Sequence, residues 1–150
     1  VSEQFKPNAT VAAIIHHQGK FLIVEEIDDG NVVYNQPAGH IEADENIINA
    51  LKREVKEETG LAVDPECLSG IYYHYRAELN LYYLRFCFVC ELDNWAETSP
   101  SDADIIQAVW LTEQELKAKG KQIRSPLVLE CIDDYLAGKR YPLSILHSNI

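Results

Sequence analysis

Basic residues are scarce in this 150-residue chain, with 13 Lys and Arg against 24 Asp and Glu and a formal net charge of −11. No basic run occurs, so neither a nucleic-acid polymer nor an anionic membrane is an expected partner. Acidity leaves room for a phosphate ligand, because carboxylates hold divalent cations and the cations hold phosphates. Long apolar runs are missing too: nothing approaches the roughly 18 consecutive apolar residues of a membrane span. The opening "VSEQFKPNAT" lacks the basic-then-apolar layout of a secretory signal, and a cytoplasmic protein is expected. Cysteines number four. The only close pair, Cys87 and Cys90, lies in "YYLRFCFVCEL", which reads as a strand. Their odd spacing sends the side chains to opposite faces, which argues against chelation by the pair and favours reduced, partly buried thiols.

There is no internal repeat, low-complexity tract or Ser/Gly-rich linker, and 47% apolar residues over this length suffice for one substantial core. A single domain over residues 1–150 is expected. "TVAAIIHH" and "KFLIVEE" are β-rich and joined through Gln18-Gly19, a hairpin signal. "NVVYNQPAGH" gives a short strand ending at Pro37, followed by a loop at Gly39. From Asp44 to Thr59 the pattern is helical, with Asp44 as N-cap, Glu45 at the positive end of the helix dipole and Gly60 as the stop. "LAVDPECLSGIYYHY" and "LNLYYLRFCFVCEL" read as two long strands, and "QAVWL" as a short one. "TEQELKAKG" and "SPLVLECIDDYLAG" follow as helices, the second capped by Ser125, with Pro126 in its first turn and Gly138 at its end. Strands interrupted by one early helix and closed by C-terminal helices predict an α/β fold, an α/β/α sandwich around a mixed sheet.

The chemistry concentrates in "REVKEETG", residues 53–60, where Glu54, Glu57 and Glu58 stand three and four residues apart. On a wheel of about 100° per residue, Glu54 and Glu58 continue the stripe of Ile47 and Leu51, whereas Lys52 and Lys56 fall on the other side. A run of Glu and Lys is ordinarily an exposed, ion-paired face. Here the carboxylates face the sheet, where desolvation and mutual repulsion demand neutralisation by protons or cations. Glutamates at these offsets suit hard ions such as Mg²⁺ or Mn²⁺, which also clamp phosphates. Zinc fits poorly, because no His or Cys stands near the carboxylates in sequence. Arg53 can orient a carboxylate through a bidentate pair or form a surface salt bridge.

Gly39, five residues, Glu45, seven residues and then "REVKEETGL" from Arg53 to Leu61 fill every fixed position of the signature of the Nudix hydrolases, which this chain resembles. That resemblance implies Mg²⁺-assisted hydrolysis of a diphosphate linked to another moiety, on an α/β/α sandwich. It makes Glu57 and Glu58 the principal metal ligands and gives Glu54 a place beside them or as the base. It further implies that Arg53 orients a glutamate, that the carbonyl of Ala38 completes the metal shell, and that Glu45 braces the loop. "FKPNATVA", "NQPAGHIEADE", "YLRFCF", "RSPLV" and "GKRYPL" extend the resemblance to a bacterial branch of the family. Similarity to that branch implies phosphatase action on nucleoside tri- and diphosphates and on the thiamine-precursor pyrimidine diphosphate, with orthophosphate release prominent.

A further carboxylate from outside the helix is expected from "SPSDADIIQAVWL", with Asp104 as the candidate and Asp102 beside it. Arg85, on a strand among aromatics, is a candidate phosphate partner. Tyr73 and Tyr75 are candidates for stacking on a nucleobase, and His40 for a phosphate contact. The competing readings are a pyrophosphatase for ADP-ribose or dinucleoside polyphosphates and a non-catalytic nucleotide sensor. Small enzymes of this kind are expected as monomers or homodimers.

Overall fold

The computed structural model describes residues 3–150. Strands β1 (Asn8–His17) and β2 (Lys20–Asp28) form the expected hairpin, turning at Gln18 and Gly19 with φ of 45° and 78°. Both values lie in the left-handed region that two-residue hairpin loops require. The hairpin then splays. β1 and β2 pair only at His16↔Phe21 and His17↔Lys20. Beyond that, β1 runs antiparallel to β4 (Ala38–His40) and parallel to β6 (Leu81–Glu91). β2 continues between β3 (Asn31–Asn35) and β7 (Ile105–Thr112), and β5 (Cys67–Arg76) closes the far edge against β6. The result is a mixed seven-stranded sheet whose two halves part at one end.

Alternation along the strands splits the core in two. Ala12, Ile14, Cys87 and Val89 pack under α3 (Pro126–Leu136), which contributes Leu127, Val128, Cys131 and Ile132. Val11, Ala13, Ile15, Phe88 and Cys90 pack under α1 (Ile47–Thr59), which contributes Ala50, Leu51 and Val55. The sandwich is therefore α/β/α. Cys87 and Cys90 do take opposite faces, and all four cysteines are free. Among the described residues, no helix is long and apolar enough to cross a membrane.

Several boundaries differ from expectation. Asp44 has φ of 65°, so the chain turns left-handed there and the N-cap moves to Asn46, whose side chain accepts from the Asn49 amide. The Gly39 loop is instead β4, drawn into register with β1. Residues 61–66 are irregular, and β5 begins at Cys67. The first C-terminal helix, α2, is only Glu113–Lys117, with a capping box from Thr112 and Glu115. Ser125 occupies the N-cap position of α3 without making a side-chain cap bond.

The end of α1 fixes the loop that follows β6. Gly60 has φ of 81° and donates to the Lys56 carbonyl. The amides of Ser101 and Asp102 reach the Glu57 carbonyl at 2.9 and 3.0 Å, and Ser99 reaches that of Thr59 at 2.9 Å. Carbonyls that a helix end leaves orphaned thus anchor the aspartate-bearing loop beside the glutamates.

Candidate active site

A cavity of about 450 Å³ takes walls from both halves of the splayed sheet. Glu26 and Asn35 come from the β2 side, and Thr10, Gly39, His74 and Arg85 from the β1 side. Glu54 and Glu58 enter from α1, Asp102 and Asp104 from the anchored loop, and Arg124 and Ser125 from the start of α3.

Glu58 is 5% exposed, and one of its oxygens accepts the Ala38 amide at 2.8 Å. Burial pushes its carboxyl up to about 9; the Ala38 bond opposes this, and the nearby carboxylates of Glu26, Glu54 and Asp102 reinforce it. Burial likewise raises Glu54 against the lowering effect of Arg53. Glu57 is half-exposed on the rim of the helix. Gly39 matters through the space it leaves: a Cβ there would overlap the carboxyl of Glu54.

Arg53 is the hub of this end of α1. Its Nε and Nη2 donate to the two oxygens of Glu45 at 2.9 and 2.7 Å, the fork-to-fork geometry that favours Arg over Lys. Nη1 donates to Glu54 at 2.9 Å and to Glu57 at 3.3 Å, and Nη2 also reaches the His40 carbonyl at 2.9 Å. Glu45 accepts the Glu42 amide at 2.8 Å as well, and the Arg53 bond holds its carboxyl below the ordinary range. One guanidinium therefore ties together the loop before α1 and two of the three glutamates. The side chain of His40 is exposed at the cavity mouth.

Among the described residues, no three His, Cys, Asp or Glu side chains are gathered as a ready-made metal cage. Glu54 and Glu57 face Arg53, and Glu58 faces the backbone. The donor chemistry of the glutamates nonetheless suits a hard divalent ion: carboxylate oxygens, with one buried carboxyl that has no cationic side chain bonded to it.

Asp104 is exposed and lines the cavity; its amide donates to Asp102 at 2.9 Å, and its carbonyl accepts from Ile27 at 3.1 Å. Tyr73 and Tyr75 require a correction, because they do not line the cavity. Strand alternation turns His74, Tyr83 and Arg85 inward, and Tyr73 and Tyr75 outward onto Tyr82, with ring centroids 6.0 and 4.6 Å away. Sequence reasoning missed Glu26, buried at 6% exposure and bonded to Arg124 at 2.6 Å. Parity gave no signal for it, because Phe21 and Ile23 are buried as fully as Leu22 and Val24 on this strand.

The fold and the loop-helix-loop around Arg53 are those of a known class. The NUDIX domain family matches residues 5–131, and the chain belongs to that family and is a Nudix hydrolase. Among curated proteins it is 43% identical over 142 residues to Phosphatase NudJ of Shigella boydii serotype 4, covering 95% of this chain and 92% of that one. Phosphatase NudJ of Escherichia coli K12 is 42% identical with the same coverage. Among solved structures, a NUDIX hydrolase from Nitrosomonas europaea superposes with a TM-score of 0.90 at 48% identity, covering 95% of this chain and 97% of that one. Hydrolases of this family generally use divalent metal ions.

Proposed function

We propose that this Nudix hydrolase is a Mg²⁺-dependent phosphatase, also served by Mn²⁺, that cleaves nucleoside tri- and diphosphates and hydroxymethylpyrimidine diphosphate with release of orthophosphate. The observation that carries the reading is Glu58: a buried carboxyl without a cationic side-chain partner, sharing a cavity with arginines. Glu54, Glu57 and Glu58 hold the cation with the carbonyl of Ala38. When bound, Mg²⁺ lowers the pKa of water and offsets charge on the leaving phosphate. Arg53 orients Glu54 and Glu57 through the bonds described above. Asp104, at the open side of the cavity, serves as base toward the attacking water. Arg85 and His40 contact the substrate phosphates, and the inward face of β5 and β6 rather than Tyr73 and Tyr75 borders the ring. The names of the NudJ relatives support phosphate release.

The test is a product-resolved screen of nucleotides and pyrimidine diphosphates with and without Mg²⁺, separating orthophosphate from pyrophosphate. Metal-dependent orthophosphate release is expected. Tight nucleotide binding without turnover, or pyrophosphate as the main product, overturns the reading.

A further inference from the structure

The cavity's arginines are not equivalent. Arg124 donates to Glu26 at 2.6 Å, and Arg76 donates to Glu78 at 2.9 Å. Arg85 is 8% exposed, and among the described residues it has no carboxylate partner. Among those residues its side chain makes one bond, from Nη1 to the neutral Gln36 side chain at 3.3 Å, and its buried Nε has no partner there. A guanidinium buried in this condition pays desolvation without a counter-charge, which a bound anion would supply.

The other wall at that point is the start of α3, an 11-residue helix. Ser125 stands at its N-cap with no cap bond from its hydroxyl, and Pro126 follows; Ser125 and Leu127 line the cavity with Arg85. Pro126 has no N–H and the Val128 amide donates to the Ser125 carbonyl at 3.2 Å, so this helix start offers phosphate the Leu127 amide and the positive end of the helix dipole.

We infer that Arg85, Ser125 and the first turn of α3, flanked by Arg124, form a subsite for the free terminal phosphate of the substrate, set apart from the carboxylates of α1. The assignment of the bound group as a substrate's terminal phosphate rests on the phosphatase reading; the capacity to bind inorganic phosphate does not. A subsite of this kind selects substrates whose diphosphate ends in a monoester over those esterified at both ends, such as ADP-ribose.

The first measurement is calorimetric titration of inorganic phosphate into the metal-free protein in EDTA. Saturable binding is expected, weakened about ten- to a hundredfold in Arg85→Gln through loss of charge-assisted bonds and recovered in part in Arg85→Lys. Ser125→Ala, which removes no cap bond, is expected to weaken phosphate several-fold and keeps the question answerable if the buried substitutions disturb folding. The second measurement is the ratio of kcat/KM for a nucleoside diphosphate to that for ADP-ribose in the Mg²⁺-loaded enzyme, which is expected to fall at least tenfold in Arg85→Gln. Wild type that binds no phosphate, or variants that match it, overturn the subsite even if turnover is intact; so does wild-type affinity in Ser125→Ala alongside unfolded Arg85 variants. Arg85-dependent phosphate binding in a protein that hydrolyses nothing would retain the subsite and reject the phosphatase reading.

Discussion

Replacing Glu58 by Gln should make the metal-free protein more stable while removing its activity, and the gain should depend on pH in a defined way. The folded-state carboxyl is raised from 4.5 to about 9. A carboxyl raised on folding contributes stability that is fully present below pH 4.5 and is lost as pH climbs toward 9, because the unfolded chain releases the proton first. Each unit between the two values is about 1.4 kcal/mol. From pH 5 to pH 8 the wild type therefore loses up to about 4 kcal/mol that the glutamine variant keeps. Glutamine still offers an oxygen to the Ala38 amide, the one hydrogen bond Glu58 makes, and it cannot ionise. The assay is urea unfolding in EDTA at several pH values, read as the difference between variant and wild type so that titrating groups remote from Glu58 cancel. A difference that stays flat from pH 5 to pH 8 refutes the argument. Saturating Mg²⁺ should then stabilise the wild type and leave the variant almost unmoved, because an ion that binds only the folded state stabilises it by mass action.

Glu57→Gln should abolish most turnover with little change in melting temperature, because this side chain is half-exposed and its Arg53 bond is long at 3.3 Å; near-normal rates at limiting Mg²⁺ reject its role as a ligand. Gly39→Ala should lower kcat about tenfold or more, on the order of the shift a displaced group causes, since the added methyl evicts the Glu54 carboxyl; circular dichroism should show the fold unchanged. Arg53→Lys cannot reproduce the bidentate bond to Glu45 together with the bonds to Glu54 and Glu57, and a loss of about 1–2 kcal/mol with a larger loss of kcat is expected. Gly60→Ala should destabilise by about 1–3 kcal/mol, because φ is 81° and a Cβ would stand 2.6 Å from the Ser99 carbonyl oxygen; an unchanged denaturation midpoint contradicts this.

What could be read in the chain followed from periodicity. Glu54 and Glu58 share a side with Leu51 because helical spacing is regular, and the structure buries Glu58 as expected; Glu57, grouped with them in sequence, is half-exposed instead. Period two likewise separated Cys87 from Cys90. The same rule applied to β5 would have excluded Tyr73 and Tyr75, but which parity faces the cavity depends on pairing with β6, at His74↔Tyr83 and Tyr72↔Arg85, a contact between distant residues. Asp44 looked like a cap from its side chain alone, and only its backbone, at φ of 65°, reveals that the helix had to begin later. Glu26 and Arg124 meet across a separation of 98 residues, which no local pattern encodes.

Among the described residues, two cavity-lining side chains, the acid Glu58 and the base Arg85, are buried without an ionic partner. Glu58 bonds a backbone amide, and Arg85 bonds a neutral amide side chain, although Glu26 and Arg124 show that this interior can form a close ion pair, at 2.6 Å. Pairing Glu58 with Arg85 would have relieved both desolvation costs at once. Held apart, Arg85 keeps its demand for a counter-charge, and Glu58, whose carboxyl burial pushes up to about 9, ionises where a cation takes the place of its proton; a phosphate accompanied by a divalent cation suits both together. This explains how a chain with net charge −11 can favour an anionic substrate: the repulsion is long-range and screened by salt, whereas Arg85 and a cation held at Glu58 would act at contact distance inside the cavity. Substrate and cation should therefore bind with positive coupling, each raising the other's affinity by the same factor.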